Sequence, residues 1–364
     1  MSTNKKVILG LSGGVDSTAA VLLLQKAGYQ VTGLFFSVTE NREEEHEKAR
    51  EAAAALGIPL LYRELSAPFR ERIVSYFCGE YMKGRTPNPC VLCNPEIKFR
   101  ALQEAAEEEG ASFIATGHYA GVEQDSSTGI WFPVRGRSQA KDQSYMLYRL
   151  PQDILSRLLL PLGEMASKEE VRALAKAEGA PNADAGDSQE ICFIPDGDYV
   201  SYMEGLGFRP QPGFFLDREG KVLGKHRGLP HYTIGQRKGL GLAFGKPMYV
   251  EGLDGEANTV TLGDGEGLLR KAVWAEQCFF HGYPQNTGLP AAYEGLEVLG
   301  KIRYAATPAP AVLRGWEGGR LLAEFREAQR APAPGQSMVF YAGDRVIGGG
   351  IICGSEVRGG SVNT

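Results

Sequence analysis

Through its first half the chain switches between short aliphatic, β-branched runs and longer alanine- and leucine-rich runs of helix-forming composition. Residues 7–11 read as a strand, 18–27 as a helix closed by Gly28, and 31–36 as a second buried strand. A charged, alanine-rich helix over 43–56 ends at Gly57 and Pro59, and 60–65 return as a strand. Helices are expected over 68–82 and 95–109, with a strand over 113–116 that places Gly117, His118 and Tyr119 at its carboxyl end. This alternation predicts an α/β domain: a parallel sheet with helices on both faces and ligands at the carboxyl ends of its strands. Two more helices are expected over 153–160 and 168–178, then an irregular stretch over 184–195 carrying Cys192. From about residue 208 helical spacing vanishes and glycine becomes frequent. Short alternating segments at 248–251 and 259–262, and turn signals through 271–354, predict a β-rich remainder of barrel or sandwich type. Residues 355–364 read as a disordered tail.

A length of 364 residues allows two or three domains, and 43 % hydrophobic with 23 % charged residues describes an ordinary globular chain. No apolar run approaches the roughly 18 residues of a membrane span, and the chain starts with a short polar lead, so the cytoplasm is the expected compartment. A net charge of −5 gives no overall attraction to nucleic acid. Any such binding must come from local patches, and Lys221, Lys225, His226, Arg227, His231, Arg237, Lys238 and Lys246 form one candidate. The six cysteines are too few and too unevenly spaced for a disulfide scaffold, and point to catalysis, metal or packing.

Between the first strand and the first helix lies Ser12-Gly13-Gly14-Val15-Asp16-Ser17. Adjacent glycines let backbone N–H groups approach a ligand, and the following helix adds its unpaired N–H groups and positive dipole end. Ser12, Ser17 and Thr18 add hydroxyls, so phosphate is the expected guest. The spacing is not that of a Walker A loop. It resembles the SGGxDS loop of the N-type ATP pyrophosphatases (the PP-loop superfamily), in which a substrate oxygen attacks the α-phosphorus of ATP and pyrophosphate leaves.

Gly84-Arg85-Thr86-Pro87-Asn88-Pro89-Cys90-Val91-Leu92-Cys93-Asn94 is the second informative stretch. Its prolines hold Thr86 and Asn88 extended and stiffen the loop. Cys93, just before a helix expected to begin near Pro95, is placed to have its thiolate stabilised by that helix's N-terminus. A zinc site is the competing reading of Cys-x-x-Cys, but no second ligand pair accompanies it. Together with Ala115-Thr116-Gly117-His118-Tyr119, Lys141-Asp142-Gln143-Ser144-Tyr145, Asp187-Ser188, Ile191-Cys192-Phe193-Ile194, Gly235 to Gly241, Pro334-Gly335-Gln336-Ser337 and Gly348 to Ile352, this stretch resembles the tRNA-specific 2-thiouridylase family over essentially 5–353.

The resemblance implies a PP-loop α/β catalytic domain over 1–200, a small central tRNA-binding domain over 201–270, a C-terminal β-barrel over 271–354 and a tail over 355–364. It implies an enzyme that uses ATP and Mg2+ to adenylate the C2 oxygen of the wobble uridine, releases AMP and pyrophosphate, and replaces that oxygen with sulfur. Gly10, Leu11, Ser12, Gly13, Gly14, Val15, Asp16 and Ser17 would bind ATP, with Phe36 and Gly117 near the adenosine. Cys192 would carry the sulfur as a persulfide. Cys93 would attack it or close a disulfide with Cys192. Taken alone, Cys192 between Ile191 and Phe193 reads as a buried packing cysteine. Asn88, Pro89 and Cys90 would contact the target base, and His118, Lys141, Asp142, Gln143, Arg303, Tyr304 and Gln336 the tRNA. His118 reads equally as a satisfied strand-end histidine. Implied partners are tRNAs for Glu, Gln and Lys and a protein donating persulfide sulfur, with no membrane.

Two departures from the family stand out. Cys90 occupies a position where members commonly carry Asp, making Cys90, Cys93 and Cys192 a candidate thiolate set for a 4Fe–4S cluster with sulfide as sulfur source. The segment 37–47 is short and lacks the usual insert, which bears on the contacts assigned to Phe36. Within the superfamily, the alternative is a small-molecule adenylating ligase. The alternative of another class is a tRNA-binding protein without catalysis.

Overall fold

The structure is a computed structural model describing residues 5–40, 42–180, 191–194, 197–285 and 288–356. It divides into two units: Met1–Ile73, Cys90–Gln189 and Asp344–Ile347 form the first, and Val74–Pro89, Glu190–Gly343 and Gly348–Thr364 the second.

In the first unit β1 (Lys6–Gly10) leads into α1 (Val15–Lys26), β2 (Gln30–Ser37), α2 (Glu43–Leu56) and β3 (Leu60–Glu64). β4 (Phe113–Ala115), a hairpin of β5 (Ala120–Gln124) and β6 (Trp131–Arg135), and β7 (Leu158–Leu159) follow. The main sheet has the order β3-β2-β1-β4-β7, and all its pairings are parallel. Alternation along β1 explains its two-sided burial. Val7 and Leu9 join the cluster containing Ala19 and Ala20 of α1 and Val171 and Ala175 of the helix Lys168–Ala177. Ile8 joins Leu34, Ile114 and the helix Phe99–Glu108 through Phe99 and Leu102. The expected doubly covered parallel sheet is observed.

Several local expectations are corrected. The helix expected over 153–160 is a single turn, Gln152–Leu155, after which Leu158 and Leu159 pair with Ile114 and Ala115 as β7. A short leucine run suits a buried helix or a buried strand equally, and here the open edge of β4 takes it. The helix expected over 68–82 is interrupted by a widened π-turn over Arg70–Val74. The helix expected from Pro95 starts earlier, at Cys90: the helical turn Cys90–Cys93 runs through a widened turn, Asn94–Lys98, into Phe99–Glu108. The widened turn accommodates Pro95, which has no N–H to offer the preceding turn.

In the second unit the helices Ser75–Met82 and Tyr199–Gly205 meet through aromatic rings: Tyr81 and Tyr199 stack at 4.5 Å, and Phe77 meets Phe193 edge-on at 5.3 Å. β8 (Gly213–Leu216), β9 (Val222–His226), β10 (Tyr249–Asp254) and β11 (Thr259–Gly263) form a small sheet of order β10-β11-β8-β9 over Phe215, Tyr232, Val250 and Val260. β12 (Leu269–Phe280), β13 (Glu297–Lys301), β14 (Ala309–Glu317), β15 (Arg320–Arg330), β16 (Ser337–Ala342) and β17 (Arg345–Glu356) follow in the order β12-β15-β14-β13-β16-β17. β12 also pairs antiparallel with β17, so the barrel closes. Closure removes the sheet edges a sandwich would leave. The glycine run of β17 sits at this seam, where a Cβ on Gly350 would stand 2.6 Å from the Cys278 sulfur.

Ser355 and Glu356, expected in the tail, end β17. The rest of the tail, the Asp187-Ser188 motif and most of the irregular stretch over 184–195 lie outside the described residues.

Candidate active site

β1 lies between β2 and β4, so the connections leaving β1 and β4 emerge side by side at the carboxyl edge, the switch point where open α/β sheets bind ligands. The loop after β1 is fastened by its own side chains. Ser17 Oγ donates to the Gly14 carbonyl at 3.0 Å, Ser12 N–H donates to Ser17 Oγ at 3.2 Å, and Gly14 N–H donates to Ser12 Oγ at 3.3 Å. The two hydroxyls are therefore partly occupied in shaping the loop. Gly14 is the N-cap of α1 and no side chain among the described residues caps that end, which leaves the first-turn N–H groups to an anion. Thr18 Oγ1 is buried without a hydrogen-bonding partner among the described residues.

The glycines have distinct causes. Gly13 has φ 77°, and a Cβ there would stand 2.6 Å from the Lys48 carbonyl carbon, so the approach of α2 requires it. Around Gly14, Ser12 Oγ alone among the described residues would come within 4 Å of an added Cβ, at 3.4 Å, so this glycine leaves room beside the loop. A Cβ on Gly117 would press to 3.0 Å of the Asp16 carbonyl carbon, so the β4 connection closes directly on the loop. Half-buried Phe36 stands by the end of β1, its ring 3.6 Å from where a Cβ of Gly10 would lie.

Sequence reading missed the charge network behind this loop. Asp16 Oδ2 pairs with Lys168 Nζ at 2.5 Å, and Asp16 Oδ1 accepts from the Tyr119 hydroxyl at 2.7 Å. The Lys168 side chain is only 7 % exposed, which commits the ammonium to this site. Ser167 caps the lysine's helix by accepting from Glu170 N–H, and Glu170 accepts in return from Ala166 N–H. That capping pattern was readable as a helix start, but nothing local tied Lys168 to Asp16.

His118 Nδ1 lies 2.8 Å from Thr116 Oγ1, and its ring stacks on Phe99 at 5.9 Å. Burial, with the Lys98 charge, pushes its pKa down to about 4, so the imidazole is neutral near pH 7. Asp142 is buried and accepts from Gly136 N–H, Ser144 N–H and Ser144 Oγ. Gln143 pairs with Tyr119 in both directions, its Oε1 accepting from Tyr119 N–H and its own N–H donating to the Tyr119 carbonyl. Asp142 and Gln143 thus brace the β4 connection, while Lys141 beside them is half-buried.

Cys90 and Cys93 begin and end one helical turn, half-buried and 4 % exposed respectively. The helix N-terminus therefore falls at Cys90, a correction to the placement expected for Cys93. Asn94 is buried, and its amide donates to the Met146 carbonyl at 3.0 Å.

In the second unit Cys192 is exposed between half-buried Ile191 and buried Phe193, which overturns its reading as a packing cysteine. Cys93 and Cys192 belong to different units. Asn88 is half-buried and Pro89 buried. Arg303 and Tyr304 are exposed, with Arg303 donating to the Arg330 carbonyl and Lys301 Nζ 5.4 Å from the Tyr304 ring centre. Gln336 Nε2 donates to the Thr86 carbonyl at 2.8 Å. In the basic stretch, His226 is an exception: it is 2 % exposed, accepts from Gly228 N–H at Nδ1 and meets the Asn258 carbonyl at Nε2, so it belongs to the core. Among the described residues no group of three His, Cys, Asp or Glu side chains could hold a metal, and the cluster set Cys90, Cys93 and Cys192 rests on sequence alone. No described helix is long and apolar enough to cross a membrane.

Three family models match in succession: a tRNA methyl transferase HUP domain over residues 5–196, a tRNA methyl transferase PRC-barrel domain over 206–264, and an aminomethyltransferase beta-barrel domain over 279–352. The tRNA-specific 2-thiouridylase MnmA of Clostridioides difficile is 42 % identical, covering 97 % of this chain and 99 % of the relative. The protein of that name from Acetivibrio thermocellus is 42 % identical over 96 % and 99 %, and that from Carboxydothermus hydrogenoformans 44 % over 96 % and 97 %. Among solved structures, NMN synthetase from Francisella tularensis aligns with 51 % of this chain and 67 % of its own at 19 % identity and a TM-score of 0.33, a likeness too slight to inform the site.

Proposed function

The chain belongs to the tRNA-specific 2-thiouridylase family, and from that premise we propose that it converts the wobble uridine of tRNA to 2-thiouridine at the expense of ATP. The observation that carries the ATP half is the uncapped N-terminus of α1 at Gly14, set at the sheet's switch point beside Gly117. The phosphates of Mg-ATP would sit on the first-turn N–H groups, with Phe36 and Gly117 toward the adenosine. Lys168 and Tyr119 hold the Asp16 carboxylate in place.

In the reaction proposed, the uridine C2 oxygen attacks the α-phosphorus and pyrophosphate leaves. Adenylation turns a poor leaving oxygen into a good one. The terminal sulfur of a Cys192 persulfide then attacks C2, and AMP departs with the former uridine oxygen. The Cys93 thiolate attacks the Cys192 sulfur, which releases 2-thiouridine and forms a Cys93–Cys192 disulfide. Two electrons pass from the cysteine pair to the transferred sulfur, so each turnover ends with reduction of the disulfide by an external thiol. Closing that bridge requires Cα atoms within about 7 Å. Exposure of Cys192 supports its role as the acceptor from a donor protein, and burial of Cys93 suits a resolving thiol shielded from bulk oxidants.

The division of labour proposed is a catalytic domain over 1–200, a central tRNA-binding domain over 201–270 and a barrel over 271–354 that helps hold tRNA. Asn88, Pro89 and Cys90 would face the target base, and His118, Lys141, Arg303 and Tyr304 the tRNA. Recognition of an unstacked uridine calls for stacking and edge contacts of this kind. The tRNAs for Glu, Gln and Lys are the proposed substrates and the cytoplasm the proposed compartment.

Nucleoside mass spectrometry of unmodified tRNA incubated with protein, Mg-ATP and a persulfide donor tests the proposal. Wobble 2-thiouridine with equimolar AMP and pyrophosphate is the expected result. AMP and pyrophosphate without thiolation would overturn the persulfide route and leave adenylation standing. Neither product would overturn both.

A further inference from the structure

The segment 83–89, which runs into Cys90, is structurally part of the unit that contains the small sheet and the barrel. It is gripped at successive residues. A Cβ on Gly84 would come within 3.1 Å of the Leu253 side chain. Arg85 pairs with Glu80 at 2.6 Å and with Glu276 of β12 at 2.7 Å. Thr86 N–H donates to the Pro334 carbonyl at 2.8 Å, and the Thr86 carbonyl accepts from Gln336 Nε2 at 2.8 Å. Both backbone groups of Thr86 are therefore held by one short connection of the barrel. That connection is itself tied to β17, by Gly335 N–H to the Ile352 carbonyl and Ile352 N–H to the Gln336 carbonyl. Gly335 has φ 91°, and a Cβ there would stand 2.9 Å from the Thr86 nitrogen, so the two backbones lie in direct contact.

Pro87 and Pro89 offer no N–H, so between Thr86 and Cys90 only Asn88 has a backbone donor. Thr86 is the point in this loop where both backbone groups are held by the barrel connection. We propose that Gln336 is a positioning residue: its side-chain amide latches Thr86 to the barrel and thereby aims Asn88 and Pro89. This assigns Gln336 a role other than the tRNA contact expected from sequence, and it rests on the thiolation reading for its consequence in catalysis.

Gln336→Glu keeps the shape but loses the donor, Gln336→Ala loses the arm, and Gly335→Ala forces the backbones apart without touching the side chain. All three are measured in the full chain, with the unfolding midpoint confirming a folded protein. Amide exchange over 83–89 is expected to speed up in each. The single-turnover thiolation rate at saturating tRNA is expected to fall about tenfold, with the tRNA Kd unchanged within about twofold. A raised Kd with the saturated rate and loop exchange intact would overturn the latch in favour of a direct RNA contact. Wild-type values on every measure would overturn it outright. If the unaltered protein makes no 2-thiouridine, the thiolation reading fails separately, and loop exchange still decides the latch.

Discussion

The phosphate loop and the cysteine loop are both stiff connections that open onto helices, and they are held in opposite ways. Ser12, Gly14 and Ser17 fasten the first among themselves, within a single stretch of sequence. The second is fastened from afar, by Pro334 and Gln336 on Thr86 and by Glu276 on Arg85. A self-fastened loop can be carried by a short motif into many proteins. A loop fastened by other modules ties its geometry to them.

The two loops can be broken separately. The largest effect is expected from Cys192→Ser, which removes the proposed sulfur carrier: thiolation should fall at least about a thousandfold while ATP-dependent AMP release persists, measured by nucleoside mass spectrometry beside an AMP assay. Gly13→Ala should collapse the first loop, because the new Cβ meets the α2 backbone at positive φ. A loss of about 3 kcal/mol or more in denaturant unfolding is expected, together with loss of ATP use. Lys168→Met leaves Asp16, among the described side chains, with the Tyr119 hydroxyl, and should raise the KM for ATP about tenfold while costing about 2 kcal/mol of stability.

The pattern of success in reading the sequence follows the same division. The phosphate loop was legible because its strand, glycines and helix are contiguous. The pattern of the C-terminal region allowed a barrel or a sandwich and the family resemblance supplied the barrel; its closure is a pairing of β12 with β17, which no local pattern announces. The β5–β6 hairpin and β7 were missed for the same reason: a short apolar run takes its state from the neighbour that pairs with it. Cys93 was placed at a helix start because Pro95 reads as a first-turn proline, whereas the widened turn carries the helix through it. Lys168 was invisible as a site residue because its partner Asp16 lies 152 positions away.

Smaller effects sharpen the comparison further. His118 has its pKa lowered to about 4 by burial, so the unfolded chain takes up its proton first as pH falls. Stability from this group is full above the unfolded pKa of about 6.5 and is lost progressively as pH falls toward 4. His118→Asn should flatten that limb in unfolding curves taken across the range. Tyr304→Ala is expected to act least. Losing an exposed ring should weaken tRNA binding about fivefold by filter binding and leave the saturated thiolation rate unchanged.

The most direct test of the central claim is a single turnover with protein whose Cys192 has been loaded with heavy-isotope sulfur as a persulfide, then given Mg-ATP and tRNA without further donor. The account predicts one labelled 2-thiouridine per loaded protein at the wobble position, with a Cys93–Cys192 disulfide left behind. Label retained on Cys192 while AMP and pyrophosphate accumulate would contradict it.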